Sequence, residues 1–453
     1  MIFCIALQGN RDGHNFILDA YKNGAKGFIV ERSKKEKIIN ELITVKPEKK
    51  VYLILTDNTL NFLQNAAKYQ RKQFKGAVIG VLGSNGKTST KDFLYQSIKL
   101  IENETYATSG NWNNHIGLPL VLLNMPENTK ILILELGMNH PGEIELLSNI
   151  SRPDIAIITS IGREHMEFFS SLEEVAKAEL EVLKYFDSHN TLYYPYNAPL
   201  QEWIKEQTLL KEFQTNFFYL IYNNNTEIKS IQNSKIQYYF GKLNQDEIHW
   251  KHYKIKNQNL KHIGLYNNLF LTLLVLHNHF FESLDPDFKH SILKELSNLK
   301  PISKQRFEFI KVNNVIIIDD SYNANPDSFI SAIDSIKHLF SKNFKIGCFA
   351  GHMAELGHYS KEGHLLIGEY LAKNHIDLIA VCGNPDVQYM IEGYKKFYSN
   401  IDIPYFENSE ILANNLLDLN LPLNQYQIIL IKGSRSAKME LITYKLKEVL
   451  QNV

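Results

Sequence analysis

A three-domain α/β protein is the fold class this sequence predicts, and three observations predict it. Strand-like apolar runs alternate with helix-like segments over most of the chain. One such run ends in a glycine-rich loop. The length of 453 residues suits about three domains at roughly 150 residues each, and a hydrophobic content of 44% is enough for packed cores.

From residue 1 to 75 the elements are short. IFCIAL reads as a strand, FILDAYKNGA as a helix, GFIV and VYLIL as strands, and a second helix follows. This predicts a small α/β domain. The polar, basic YQRKQFKG then precedes AVIGVLG at 77–83, whose β-rich apolar residues and closing glycine announce a buried strand feeding a loop. A domain boundary near residue 75 is expected. ILILE at 131–135 and IAIIT at 155–159 are each followed by helical sequence, the alternation of a mainly parallel sheet. Residues 190–260, rich in Asn, Gln, Tyr and Lys, are expected to form a more antiparallel periphery before the helical NNLFLTLLVLHNHF. The second domain therefore spans 76–299. Alternation resumes with VIIID at 315–319, KIGCFA at 345–350, LIAVCG at 378–383 and IILIKG at 428–433, which predicts a Rossmann-like third domain over 300–453.

Composition narrows the function. Forty-nine basic residues balance forty-nine acidic ones, so no net field points to nucleic acid or an anionic membrane as partner. No apolar stretch reaches the ~20 residues of a membrane span, and the N-terminus has neither basic leader nor cleavage site. No membrane insertion is expected. Cys4, Cys348 and Cys382 are scattered and odd in number, outside any disulfide or zinc spacing. A cytoplasmic location is expected.

The loop Gly83-Ser84-Asn85-Gly86-Lys87-Thr88 opens a helix expected to begin near Ser89. Glycines let backbone N–H groups curl around phosphate oxygens, the helix dipole favours the anion, a lysine reaches the terminal phosphates and a threonine hydroxyl can hold Mg²⁺. This predicts an ATP site. Val81 stands where the usual spacing places the first glycine, so the loop is a shortened variant. Glu135 closes the ILILE strand at the ligand-bearing edge of an open sheet and is a metal-ligand candidate. His165 follows the next strand in the same position, where a hydrogen-bonded structural histidine is the alternative.

Seven blocks in order carry a family resemblance: GSNGKTSTKD (83–92), SGNWNNHIGLPL (109–120), ELGMNHPGEI (135–144), IGREHMEFFSS (161–171), DDSYNANPDS (319–328), MAELG (353–357) and KGSR (432–435). Together they resemble the Mur ligases, above all the member activity that joins D-alanyl-D-alanine to UDP-N-acetylmuramoyl-tripeptide with ATP and Mg²⁺. The phosphate loop is shared with folylpolyglutamate synthases, whereas ELGMNHPGEI and DDSYNANPDS are more specific. The resemblance implies an N-terminal UDP-sugar domain, a central ATPase and a C-terminal domain that closes over the nucleotide; a monomer is expected, though the sequence leaves the oligomeric state open. It implies that Gly83 to Ser89 cradle phosphates, that Lys87, Glu135 and His165 are catalytic, and that Thr88 and Glu135 hold one Mg²⁺ and His165 a second. It also implies Asn268 at adenine, Arg306 and Asp320 at ribose and phosphates, and Asn111, Asn113, Asn114 and His115 on the sugar-peptide side. Tyr322, Asn323 and Asn325 would meet the second amino substrate, and Lys432 and Arg435 are further site candidates with no assigned place.

Three departures from the family pattern stand out. The segment carrying an Asp-Ser/Thr-Arg element for uridine does not precede IFCIALQG, which implies a misassigned start or a rebuilt uridine site. His352 replaces a customary aspartate. Glu179 stands where the family carries a carbamylated lysine, with Lys177 two positions away. A glutamate is shorter than a lysine carbamate, so Glu179 is expected to reach the second metal through water or a shifted helix; a solvated surface glutamate is the alternative. Two other functions stay open: a sibling Mur or folylpolyglutamate-type ligase, and a degenerate nucleotide-binding protein without ligase activity. The third residue of the acceptor peptide, diaminopimelate or lysine, is also open.

Overall fold

The computed structural model describes residues 2–9, 11–45, 47, 50–222, 234–302, 305–340, 344–416 and 423–451. Among them three sheets form, each a separate stretch of the chain. In the first, Phe3–Ile5, Gly27–Glu31 and Tyr52–Thr56 pair in parallel in chain order. Two helices beyond Ile17–Lys22 accompany it, not one. Lys35–Thr44 crosses from the second strand to the third, and Thr59–Gln73 takes in most of the basic stretch read as a boundary. Ile38 and Leu42, one turn apart, are the buried face of the former.

The second sheet places Ala77–Leu82 between Ile131–Glu135 and Ile155–Ile158, all parallel. The chain leaves this strand toward Thr105–Ala107 on one side and later crosses from Ile131–Glu135 to Ile155–Ile158 on the other, so a crevice opens at its carboxyl end, where ligands of open α/β sheets collect. Gly83, Glu135 and Thr159 stand at that edge. The strands are apolar runs because helices cover both faces. One cover is Ile263–His279, buried over nearly its whole circumference by Leu265, Leu269, Phe270, Leu273, Leu274 and Leu276. Burying each such side chain contributes about 1.5–3 kcal/mol.

The expectation for residues 190–260 is corrected by the structure. Thr191–Pro195, Gln214–Ile221 and Ile236–Asn244 extend the same sheet in parallel, and only Glu247–Trp250 and Tyr253–Lys256 add antiparallel strands at its end. Tyrosines supply the apolar surface that aliphatic residues supply elsewhere: Tyr193, Tyr194 and Tyr239 are buried.

The third sheet runs in the order Glu308–Val312, Val315–Asp320, Ile428–Lys432, Ile346–Gly351, Ile376–Cys382, Tyr405–Phe406. It is parallel except for its first strand, which pairs antiparallel with Val315–Asp320. Asp320 and Lys432 are register partners at the carboxyl edge, facing the second sheet's crevice.

Candidate active site

The helix after the glycine-rich loop starts at Lys87, two residues before the expected Ser89. Gly83 (φ 113°) and Gly86 (φ 92°) both need the left-handed backbone. A Cβ on Gly83 would lie 2.6 Å from Thr159 Oγ1, and one on Gly86 would lie 2.8 Å from Asn268 Oδ1. The loop is therefore packed down onto the neighbouring strand end and onto Asn268, which is buried on the helix Ile263–His279. Ser84 Oγ accepts from Gly162 N at 2.9 Å, and Ser160 Oγ accepts from Asn85 N at 2.8 Å.

Lys87 folds back over this loop. Its Nζ donates to the carbonyls of Gly83 and Ser84 at 2.6 and 3.1 Å and lies 3.4 Å from Glu164 Oε1. Burial opposes its charge, but Glu164, Glu179 and Glu135 outweigh that and hold the ammonium above its ordinary pKa. Glu135 is 2% exposed: Oε1 accepts from Asn113 Nδ2 at 2.8 Å, while Oε2 is buried with no partner among the described residues. Glu179, last residue of the helix Leu172–Glu179, is also 2% exposed, with Oε2 unpartnered among the described residues. The surface-glutamate alternative is thereby excluded, while Lys177 points to solvent. Burial is the main cause that pushes the Glu179 carboxyl up to about 8.

His165 adopts φ 54° and places Nε2 at 3.0 Å from Glu164 Oε1 and Nδ1 at 2.5 Å from Glu355 Oε2. Burial would lower its pKa, yet hydrogen bonds to Glu164 and Glu355 raise it to about 9. Two carboxylates the sequence reasoning passed over, Glu164 and Glu355, thus flank the histidine it singled out. Their signals were modest: Glu164 directly precedes His165, and Glu355 lies in MAELG.

The C-terminal part meets this crevice directly. Arg306 Nη2 lies 3.5 Å from Thr88 Oγ1, and its guanidinium stacks 4.1 Å from the centre of the Tyr322 ring. Asp320 accepts from Phe307 N at 3.1 Å and pairs with Lys432 Nζ at 2.5 Å; Lys432, 1% exposed, also donates to Asn323 O. Arg163 holds Asp327 by its backbone N–H (2.6 Å) and guanidinium (3.0 Å). Asn325 caps the helix Pro326–Leu339 and bonds to Asn85. His352 donates to or accepts from Ser436 Oγ at 2.9 Å on the far side of this region.

A cavity of about 1270 Å³ results, lined by the loop from Ser84 to Ser89, Glu135, His165, Asn268, Arg306, Asp320 and Lys432. Asn111, Asn113, Asn114 and His115 line it as well; Asn114 Oδ1 caps the turn at Ile116 and Gly117, and His115 O accepts from Gln64 Nε2. A second cavity of about 530 Å³ adjoins at Glu164 and His165 and is bounded by Tyr322, Asn323, Asn325, Glu355 and Arg435. Glu179 lies behind the loop and lines neither.

The buried Glu135 Oε2, without a partner among the described residues, lines the same cavity as the Thr88 hydroxyl, and that pair of oxygens suits a hard cation, whereas Glu179 Oε2 lines no cavity. Among the described residues no three His, Cys, Asp or Glu side chains converge as a finished metal cluster. Such a donor set fits Mg²⁺, which takes few protein ligands and completes its shell with phosphate and water oxygens. Among the described residues no helix is long and apolar enough to cross a membrane.

Comparison with known proteins agrees with this arrangement. Residues 81–274 match the Mur ligase middle domain, and residues 305–435 match the Mur ligase, glutamate ligase domain. A UDP-N-acetylmuramoyl-tripeptide–D-alanyl-D-alanine ligase of Bacillus subtilis is 31% identical over 98% of this chain and 90% of its own. A crystal structure of MurF from Acinetobacter baumannii superposes with a TM-score of 0.78 at 25% identity, covering 98% of this chain and 90% of that one. MurF ligase from Thermotoga maritima, in complex with ADP, gives 0.75 at 25% identity over 99% and 95%. The chain belongs to the Mur ligase family.

Proposed function

We infer that this chain is an ATP-dependent ligase that joins D-alanyl-D-alanine to UDP-N-acetylmuramoyl-tripeptide, a step of peptidoglycan precursor synthesis. The observation that carries the reading is a phosphate-type loop, Gly83 to Thr88, roofed by Arg306, Tyr322 and Asn325 of the C-terminal part. That roof adjoins a second cavity sized for a small amine substrate.

We propose three domains, 1–75, 76–299 and 300–453, with the sugar nucleotide held by the first and by Asn111, Asn113, Asn114 and His115. ATP phosphates lie along Gly83 to Ser89, with adenine against Asn268 and the ribose and phosphates near Arg306 and Asp320. Thr88, Glu135 and His165 would hold Mg²⁺, which offsets charge where a carboxylate approaches a polyphosphate, with Glu179 acting on it from behind the loop. Lys87 turns from the Gly83 and Ser84 carbonyls toward the phosphates and balances charge there. The tripeptide carboxylate attacks the γ-phosphorus, ADP leaves and an acyl phosphate forms. The dipeptide amine, placed in the smaller cavity by Tyr322, Asn323 and Asn325, attacks the carbonyl. Phosphate then departs and an amide remains. The bonds Asn85–Asn325 and Arg163–Asp327 keep the crevice shut, which excludes water from an intermediate it would hydrolyse. Asp320 is already engaged by Lys432, so its contribution to ribose binding runs through that pair.

The protein is proposed to work in the cytoplasm as a monomer. Mass spectrometry of a reaction with ATP, Mg²⁺ and both substrates tests the reading. The UDP-sugar peptide should gain one D-alanyl-D-alanine with loss of water, and an unchanged peptide mass would refute it.

A further inference from the structure

His165 and Glu355 belong to different sheets: His165 follows Ile155–Ile158 of the second, and Glu355 follows Ile346–Gly351 of the third. Their side chains nevertheless meet, Nδ1 at 2.5 Å from Oε2. The backbones meet as well. Glu167 N donates to Glu355 O at 3.0 Å, and a Cβ on Gly357 would lie 2.5 Å from Glu167 Cα, so the two loops touch main chain to main chain.

Both residues are held in left-handed backbone, φ 54° for His165 and φ 60° for Glu355. Non-glycine residues adopt that region at a cost, and it persists only where the surroundings enforce it. Here each loop enforces the other. The consequence is the aim of the ring. With the Glu355 carboxylate beside Nδ1 as a 2.5 Å ion-pair contact that lacks hydrogen-bond geometry, the opposite nitrogen lies 3.0 Å from Glu164 Oε1, itself 3.4 Å from Lys87 Nζ. A histidine that ligates a metal commonly gives its other N–H to a carboxylate, which fixes the tautomer and ring orientation and strengthens the ligand.

We propose that Glu355 is a positioning residue: the docked C-terminal domain supplies it to fix His165, so that the cation site at Nε2 is complete only in the closed protein. This rests on the reading that His165 serves a divalent cation. It adds that the site is assembled by domain docking, so that phosphoryl transfer and water exclusion are gated by the same contact. An interdomain ion pair with no other role would stabilise closure without changing cation affinity.

The test is Mn²⁺ binding to the full-length chain with saturating ADP, followed by electron paramagnetic resonance. Glu355→Ala should weaken one Mn²⁺ site by about 10- to 100-fold and leave ADP affinity near that of the parent. Glu355→Gln keeps an acceptor but drops the charge and should fall between the two. It carries the test alone if the alanine chain does not fold, an unchanged Mn²⁺ affinity then counting against the proposal. His165→Ala separates the two layers. If His165→Ala loses a Mn²⁺ site while a folded Glu355→Ala binds as the parent does, the positioning role is overturned and the cation reading stands. If His165→Ala binds Mn²⁺ normally, both are overturned.

Discussion

Asn85 and Asn325 hold each other's side-chain amides across the junction of the second and third sheets. Asn325 Nδ2 donates to Asn85 Oδ1 at 3.1 Å, and Asn85 Nδ2 lies 3.5 Å from Asn325 Oδ1. The same Asn325 Oδ1 accepts from Ser328 N at 2.8 Å and so caps the helix Pro326–Leu339. One side chain thus starts a helix in one domain and latches the phosphate loop of the other.

Asn325→Ala removes both functions. Loss of the cap alone costs about 1 kcal/mol, so the urea midpoint should fall, and turnover should fall with it because the latch is gone. Asn325→Asp retains the cap and should keep stability closer to the parent. An alanine variant with parental midpoint and turnover would show that the latch is dispensable.

Lys87→Ala should abolish ADP formation while the protein remains folded. Among the described residues Nζ bonds only to loop carbonyls and to Glu164, so its loss removes charge at the phosphates and little packing. Circular dichroism and ADP release measured together check this. Substantial turnover in folded Lys87→Ala protein would remove the ATP-site assignment.

Glu179 stands where the family resemblance implies a lysine carbamate; burial raises its carboxyl to about 8, so a bound cation would have to draw it into the carboxylate form. Activity is therefore expected to survive bicarbonate depletion, and Glu179→Gln should raise the Mg²⁺ requirement without unfolding the protein. Titrating turnover against Mg²⁺ in degassed buffer makes the comparison. Bicarbonate-dependent activity, or a glutamine variant with an unchanged Mg²⁺ response, would rule the role out.

His165 links closure to pH. Its pKa is raised from the ordinary 6.5 to about 9 by Glu164 and Glu355 against the effect of burial, so the folded protein binds the proton more tightly than the unfolded chain. The resulting stability is fully present below about pH 6.5 and is lost as pH rises through about 9. The thermal midpoint of the unliganded parent should therefore exceed that of Glu355→Ala most at about pH 6. Melting curves from pH 6 to 10 should converge at the alkaline end. A gap independent of pH would mean that the pair carries no charge.

Much of this was legible in the sequence, for physical reasons. Buried parallel strands are continuous apolar runs, so AVIGVLG, ILILE, IAIIT and IILIKG were readable one by one. The phosphate loop was readable because glycines, lysine and threonine must be adjacent to do their work. The strands at Thr191–Pro195, Gln214–Ile221 and Ile236–Asn244 were misread because tyrosine, asparagine and glutamine dilute the apolar signal; Asn216 is buried inside one of them. Glu355 was invisible as a site residue because its partner His165 lies far away in the chain, and only domain docking joins them. Glu179 looked ambiguous on its helix. What buries it is the loop above, whose position no local pattern reports.

The most direct measurement of the central claim is ADP release in the presence of Mg²⁺, ATP and UDP-N-acetylmuramoyl-tripeptide, with and without D-alanyl-D-alanine. Sustained ADP release should require both the tripeptide nucleotide and the dipeptide, one ADP per amide formed. ADP release that ignores the dipeptide, or that appears only with glutamate and a folate, or no release under any combination, would contradict the assignment.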